Sequence, residues 1–162
     1  MLPFAAMVVA VPAVILSAEH QAMTKVAVGD VFPELSGQSA AGEATALRGL
    51  LGEKATVVAT AGKPDWMQAM MRSDLVEDFA AKYAERGVSF VSLDGGLEAD
   101  AIRSLGVDPQ TLDEKLGVRP TPHVYVLGPE GKLLWFDLEY TLSTHRELHA
   151  TLDELVGEKL AE

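Results

Sequence analysis

The sequence predicts one α/β domain, and three features predict it. An apolar, β-branched run, Ala55-Thr56-Val57-Val58-Ala59, feeds directly into a helical pattern, a second such run spans Val88 to Leu93, and the last third reads strand, tight turn, strand, helix. A strand, helix and strand in that order make a right-handed parallel crossover. A hairpin and closing helix then give a mixed sheet with helices on both faces.

Composition sets the outer limits. At 162 residues the chain is long enough for one domain with a full hydrophobic core. Lys and Arg number 13 against 24 Asp and Glu, and the formal charge of −11 repels phosphate backbones and anionic membrane surfaces. Nucleic acid is therefore not an expected partner. Cysteine is absent, which removes disulfides, thiolate nucleophiles and Cys-ligated metal sites together.

Residues 2–18 form an uncharged apolar run interrupted by Pro3 and Pro12, short for a membrane span of about 20 residues. It reads as a secretory signal peptide or short anchor, with Ser17 and Ala18 near a cleavage point, although no Lys or Arg stands in front of it. An N-terminal strand or buried arm is the alternative. Residues 1–24 are accordingly set apart from a folded domain over 25–162. Membrane contact is expected only through that segment, if it stays uncleaved.

Val28-Gly29-Asp30-Val31-Phe32-Pro33 opens the domain as an extended stretch, because Pro33 biases Phe32 away from helix. Residues 36–45 are small, polar and Gly-containing, a loop or short hairpin, and Leu47 to Leu51 makes a single helical turn before Gly52. The central strand from Ala55 stops at Gly62-Lys63-Pro64-Asp65-Trp66. Asp65 can cap the following helix, with Gln68 at capping-box spacing, and Leu75, Val76, Phe79, Ala80 and Tyr83 share its inner face up to Gly87. After the strand at Val88 to Leu93 and the turn Asp94-Gly95-Gly96, short helices are expected at Leu97 to Leu105 and Leu112 to Leu116, closed by Gly106 and Gly117. His123 to Leu127 and Lys132 to Phe136 flank Gly128-Pro129-Glu130-Gly131, a hairpin composition. Thr144 is the expected cap of the last helix, which buries Leu148, Leu152, Leu155 and Val156.

This order of elements, with Val28 to Pro33 at the start and Arg119-Pro120-Thr121-Pro122 before the hairpin, resembles the thioredoxin superfamily, more narrowly its redoxin or TlpA-type (AhpC/TSA-like) branch of exported bacterial proteins. The resemblance spans about residues 26–158 and implies a thioredoxin-like fold with a periplasmic location, free or anchored. In that family the turn after the first central strand carries two cysteines. Aligned on the helix that follows, Lys63 and Trp66 take their places, and the acidic residue many thioredoxins bury six positions before the first cysteine becomes Val57. Thiol-disulfide exchange needs one thiolate to attack and a second thiol to release the mixed disulfide. No catalytic residue and no enzymatic activity are expected from this chain alone; the alternative is an oxidoreductase by descent that works only with a cysteine-bearing partner or cofactor.

The resemblance also implies that Pro122 is a cis-proline whose loop faces the helix N-terminus, with Thr121 offering backbone groups to an extended peptide. The expected binding cleft is therefore Gly62, Lys63, Pro64, Asp65, Trp66, Thr121, Pro122 and His123, and the expected partner a peptide or partner protein. Each member has a plainer reading too. Lys63 is a solvated loop lysine sooner than a nucleophile, Pro122 can simply shape a turn, and His123 reads as the first residue of a strand with a satisfied ring. Trp66, Met67, Met70 and Met71 are either core packing or a partly exposed apolar patch. His145 and His149 stand four apart, a metal-ligand spacing, but with Glu147 pointing elsewhere and no third ligand evident they read as an exposed helix face, so no metal and no cofactor is expected.

Overall fold

A computed structural model describes residues 24–97, 99–117 and 120–157. The apolar run at 2–18 lies outside them. Among the described residues no helix is long and apolar enough to cross a membrane.

Seven strands form one mixed sheet: β1 (Ser36–Ser39), β2 (Ala44–Ala46), β3 (Ala55–Thr60), β4 (Val88–Ser92), β5 (Arg103–Gly106), β6 (His123–Leu127) and β7 (Leu133–Asp137), in the spatial order β2-β1-β5-β4-β3-β6-β7. The expected crossover is present. β3 runs parallel to β4, Val57 opposite Phe90, and antiparallel to β6, Val57 opposite Val126, so β3 is central and buried along its whole length. Val31 bridges Lys132, so the extended opening stretch lies along the hairpin, with Phe32 tilted on Tyr125 at 5.2 Å between ring centroids.

Among the described residues three helices complete the layers. The first, α1, runs through Trp66–Ser73, a wider π-helical segment Asp74–Phe79 and Ala80–Tyr83, ending in a 3₁₀ turn and left-handed Gly87. The second, α2 (Pro109–Leu116), is capped by Asp108 and closed by left-handed Gly117. The third is α3 (Leu142–Val156). One core joins Val57, Ala59, Val124 and Val126 of the sheet to Met71, Leu75, Phe79 and Tyr83 of α1 and Leu148 and Leu152 of α3. A second core on the other face joins Val58, Val91, Tyr125 and Leu127 to Leu112 and Leu116 of α2 and to Phe32, Leu35 and Leu47. Helices therefore cover both faces, as the sequence predicts.

Two expected elements differ. The helix expected at Leu97 to Leu105 is not formed: Ala99 bridges Ile102, and Arg103–Gly106 is strand β5, parallel to β4. Leu97, Ile102 and Leu105 are buried, so their spacing suits either element, and the open flank of β4 supplies the hydrogen bonds that decide it. The closing helix starts earlier than expected. Thr141 is the cap, and Thr144 is its reciprocal partner three residues on, buried and donating to Asp137 Oδ2 at 2.8 Å.

Helices α1 and α3 are stitched together by polar contacts over a common apolar floor. Tyr140, just before α3, donates from its hydroxyl to Asp74 Oδ2 at 2.9 Å, and burial, reinforced by that carboxylate, pushes its phenol far above the usual tyrosine range. Tyr83 donates to Asp153, and burial first, then that carboxylate, raise it to about 12. Lys82 lies 3.1 Å from the same Asp153, which raises it to about 12, while this bond and Tyr83's hold Asp153 below its ordinary value against the opposing effect of burial.

Candidate functional site

The turn from β3 into α1 is built by three local devices. Gly62 is left-handed, at φ +67°, which lets the chain turn sharply at the end of a buried strand. Asp94, leaving β4, accepts from the Ala61 N–H at 2.8 Å and fixes the turn's base. Asp65 caps α1, accepting from the Met67 and Gln68 N–H groups at 3.0 and 3.2 Å. Gln68 does not close the capping box; its amide reaches back to the Gly62 carbonyl at 3.5 Å.

That cap has a chemical consequence. The free N–H groups at a helix start are what would stabilise a thiolate or bound anion there. Here the Asp65 carboxylate already occupies two of them, those of Met67 and Gln68. Lys63 is solvent-exposed and lacks the apolar enclosure that a nucleophilic lysine needs. Val57, at the position of the family's buried acid, sits in the apolar core.

The Pro120-Thr121-Pro122 loop closes directly over the turn. The Lys63 N–H donates to the Pro120 carbonyl at 2.7 Å, and the backbone from Pro120 to Pro122 presses on Gly62 with no room for a side chain. Thr121 donates from Oγ1 to the Leu138 carbonyl at 2.7 Å, tying the loop to the segment ahead of α3. The peptide bond before Pro122 is trans, and no described peptide bond is cis, which corrects the expectation of a cis-proline. The trans form is the intrinsically preferred one by about 0.5–1 kcal/mol, and the loop's bonds to Lys63 and Leu138 are all made around it.

The structure thus brings Gly62, Lys63, Thr121 and Pro122 together, with Pro64, Asp65 and Trp66 on the exposed side of the turn. His123 lies behind them. It is fully buried as the first residue of β6, its N–H on Thr60 Oγ1 and its Nδ1 3.0 Å from the Tyr125 hydroxyl. The apolar cluster at the helix start divides. Met71 is fully buried and Met67 and Met70 pack against the same core, whereas Trp66 is 68% exposed.

The sequence reading missed the third wall. The Tyr140 N–H lies 3.5 Å from Met67 Sδ, so residues 138–142 flank the start of α1, and Leu142 at the head of α3 is 76% exposed. An unsatisfied apolar residue directly after the Thr141 cap is the signal that could have found it. Two concavities lie elsewhere among the described residues, one lined by Val31, Phe32, Leu47 and Leu127 and another by Ser39, Thr45, Ile102 and Arg103.

No protein-family model matches the sequence, and no curated protein matches it. Solved structures do. An uncharacterized conserved protein from Geobacillus kaustophilus superposes with a TM-score of 0.68 at 18% identity, covering 86% of this chain and 88% of that one. A protein from Chlorobium tepidum named as a thiol:disulfide interchange protein DsbE gives 0.65 at 15% identity, over 82% of this chain and 99% of that one. A thiol:disulfide interchange protein from a Bacteroides species gives 0.62 at 18% identity, over 83% and 93%. These identities speak for architecture, and the architecture is clear: this chain has the thioredoxin-like fold, with Lys63 and Trp66 at the turn from β3 into α1 and no cysteine anywhere in its sequence.

Proposed function

We propose that the protein is a peptide- or partner-binding module, chaperone-like in taking extended chain, that uses the turn 62–66 and the loop 120–122. The exposure of Trp66 carries this reading. A large aromatic at the first turn of a central helix, beside a backbone loop, is an interface anchor in both size and position. Exposed Leu142 supplies a second apolar contact along the flanking segment. Among the described residues no hydrogen bond engages the Thr121 backbone N–H or carbonyl, which leaves both for strand-like pairing with a peptide.

A reduced, carboxymethylated polypeptide, unable to refold, is the probe. Titrated against the full chain, it is expected to bind saturably, and Trp66→Ala should weaken binding about tenfold or more, the cost of an aromatic hot spot. Equal binding by the variant and the parent protein would sink the proposal. In an insulin-reduction assay with dithiothreitol, turnover should match a no-protein control, since exchange needs thiols the chain lacks.

Export of this module is part of the same proposal. The apolar run at 2–18 supports it, as does a structural neighbour at 21% identity and TM-score 0.54, a thioredoxin from Streptococcus pneumoniae named as an exposed lipoprotein. Residues 1–24 fused ahead of leaderless alkaline phosphatase should give active enzyme outside the bacterial cytoplasm. A fusion that stays inactive inside the cell argues against export.

A further inference from the structure

Away from the cleft, α1 and α3 bring together three side chains that chain order keeps apart. Asp78 Oδ2 lies 2.8 Å from His145 Nε2 and 2.9 Å from His149 Nε2. One donor atom from each residue falls within 4.8 Å of the others. Asp78 follows Trp66 by twelve positions, about 18 Å along a helix at 1.5 Å per residue, so the cluster is separate from the turn.

The hydrogen-bond accounting at His149 adds an independent observation. Its Nδ1 lies 2.9 Å from the Tyr83 hydroxyl, which has a single proton and gives it to the Asp153 carboxylate. The Tyr83 oxygen must then accept from His149 Nδ1–H. With Nδ1–H spent on Tyr83, Nε2 turns toward Asp78, and the electrostatics there call for a positive charge between nitrogen and carboxylate, which either a proton on Nε2 or a bound metal ion supplies. A tyrosine and carboxylate behind the far ring nitrogen also fix the tautomer that a metal requires. Phe79 holds the ring in place, its centroid 4.3 Å from that of His149.

We propose that Asp78, His145 and His149 bind a divalent ion of the zinc class, clamping α1 to α3, with solvent completing the coordination. Two imidazoles and one carboxylate are the donor set of such ions and a poor one for Mg²⁺, which takes oxygen ligands. The side chains are 43%, 29% and 22% exposed, so an ion can enter and retain water. Metal–ligand bonds of about 2.0–2.2 Å in a tetrahedron place ligand atoms roughly 3.3 Å apart. The two Asp–His pairs therefore open by about half an ångström, and the widest separation in the cluster, up to 4.8 Å, closes by more than that, movements that partly exposed side chains can make.

The test is calorimetric titration of the full chain, purified without a histidine tag, with Zn²⁺ in the presence of excess Mg²⁺, alongside the visible absorbance of the Co²⁺ form. One equivalent should bind, and Asp78→Asn and His145→Gln should each weaken binding at least tenfold and abolish the Co²⁺ bands. Asp78→Asn is partly exposed and keeps the side chain's shape, so folding is expected to survive and is checked by circular dichroism. Absence of binding at millimolar Zn²⁺, or parent-like binding by either folded variant, overturns the proposal. Neither outcome bears on peptide capture at Trp66.

Discussion

Gly62→Ala is expected to destabilise the domain by about 2–4 kcal/mol, combining a left-handed backbone penalty with overpacking against groups that cannot move aside. A methyl on Gly62 would lie 2.3 Å from the Pro120 carbonyl oxygen, 2.8 Å from the Thr121 carbonyl carbon and 2.9 Å from the Pro122 nitrogen, all backbone atoms, at a φ of +67°. The loop has to lift to admit it, which strains the bond from Lys63 N–H to Pro120 and Thr121's anchor on Leu138. Urea unfolding monitored by circular dichroism measures the loss. Because the displaced atoms form the proposed binding surface, peptide affinity should fall in the still-folded fraction as well. A change under about 0.5 kcal/mol would mean that turn and loop are not closed on each other in solution.

Phe79→Ala should cost about 3–5 kcal/mol, the range for removing a buried aromatic. Phe79 is fully buried in the core between α1, α3 and the sheet, and its ring contacts Tyr83 at 6.3 Å, His145 at 5.1 Å and His149 at 4.3 Å between centroids. The substitution removes both the core filling and the platform under the two histidines. Chemical denaturation should therefore show a large drop in midpoint with little change in slope. A loss below about 1 kcal/mol would show that α1 and α3 repack around the gap.

Much of the fold is legible in the sequence because its strongest signals are local. β3 and β4 are largely apolar, β-branched runs, and the helix stops read at Gly87 and Gly117 are left-handed glycines in the structure. β5 is not legible, since Leu97, Ile102 and Leu105 have spacing that fits either element and only the flank of β4 makes a strand of it. The start of α3 is ambiguous between two threonines that serve one cap from opposite sides. At the cleft, local chemistry finds Asp65 as the cap and raises the exposure of Trp66 as the deciding question. The trans bond at Pro122, the burial of His123 and the approach of Tyr140 to Met67 depend on contacts between distant segments. Asp78 is the plainest case: it is one acidic residue among many on a helix surface, and nothing in the chain order points 67 positions ahead to His145.

The π-helical segment of α1 separates the two ends of that helix in angular phase. Ala80 N–H bonds to the Leu75 carbonyl, five residues back, so one turn holds an additional residue and everything after it is rotated relative to a straight α-helix. Met71, Leu75, Phe79 and Tyr83, from both sides of the widened turn, share one core with the sheet and α3, while Asp78 and Tyr83 carry the polar contacts to α3. The widened turn thus sets the angle between the exposed Trp66 at one end of the helix and Asp78, facing α3, at the other.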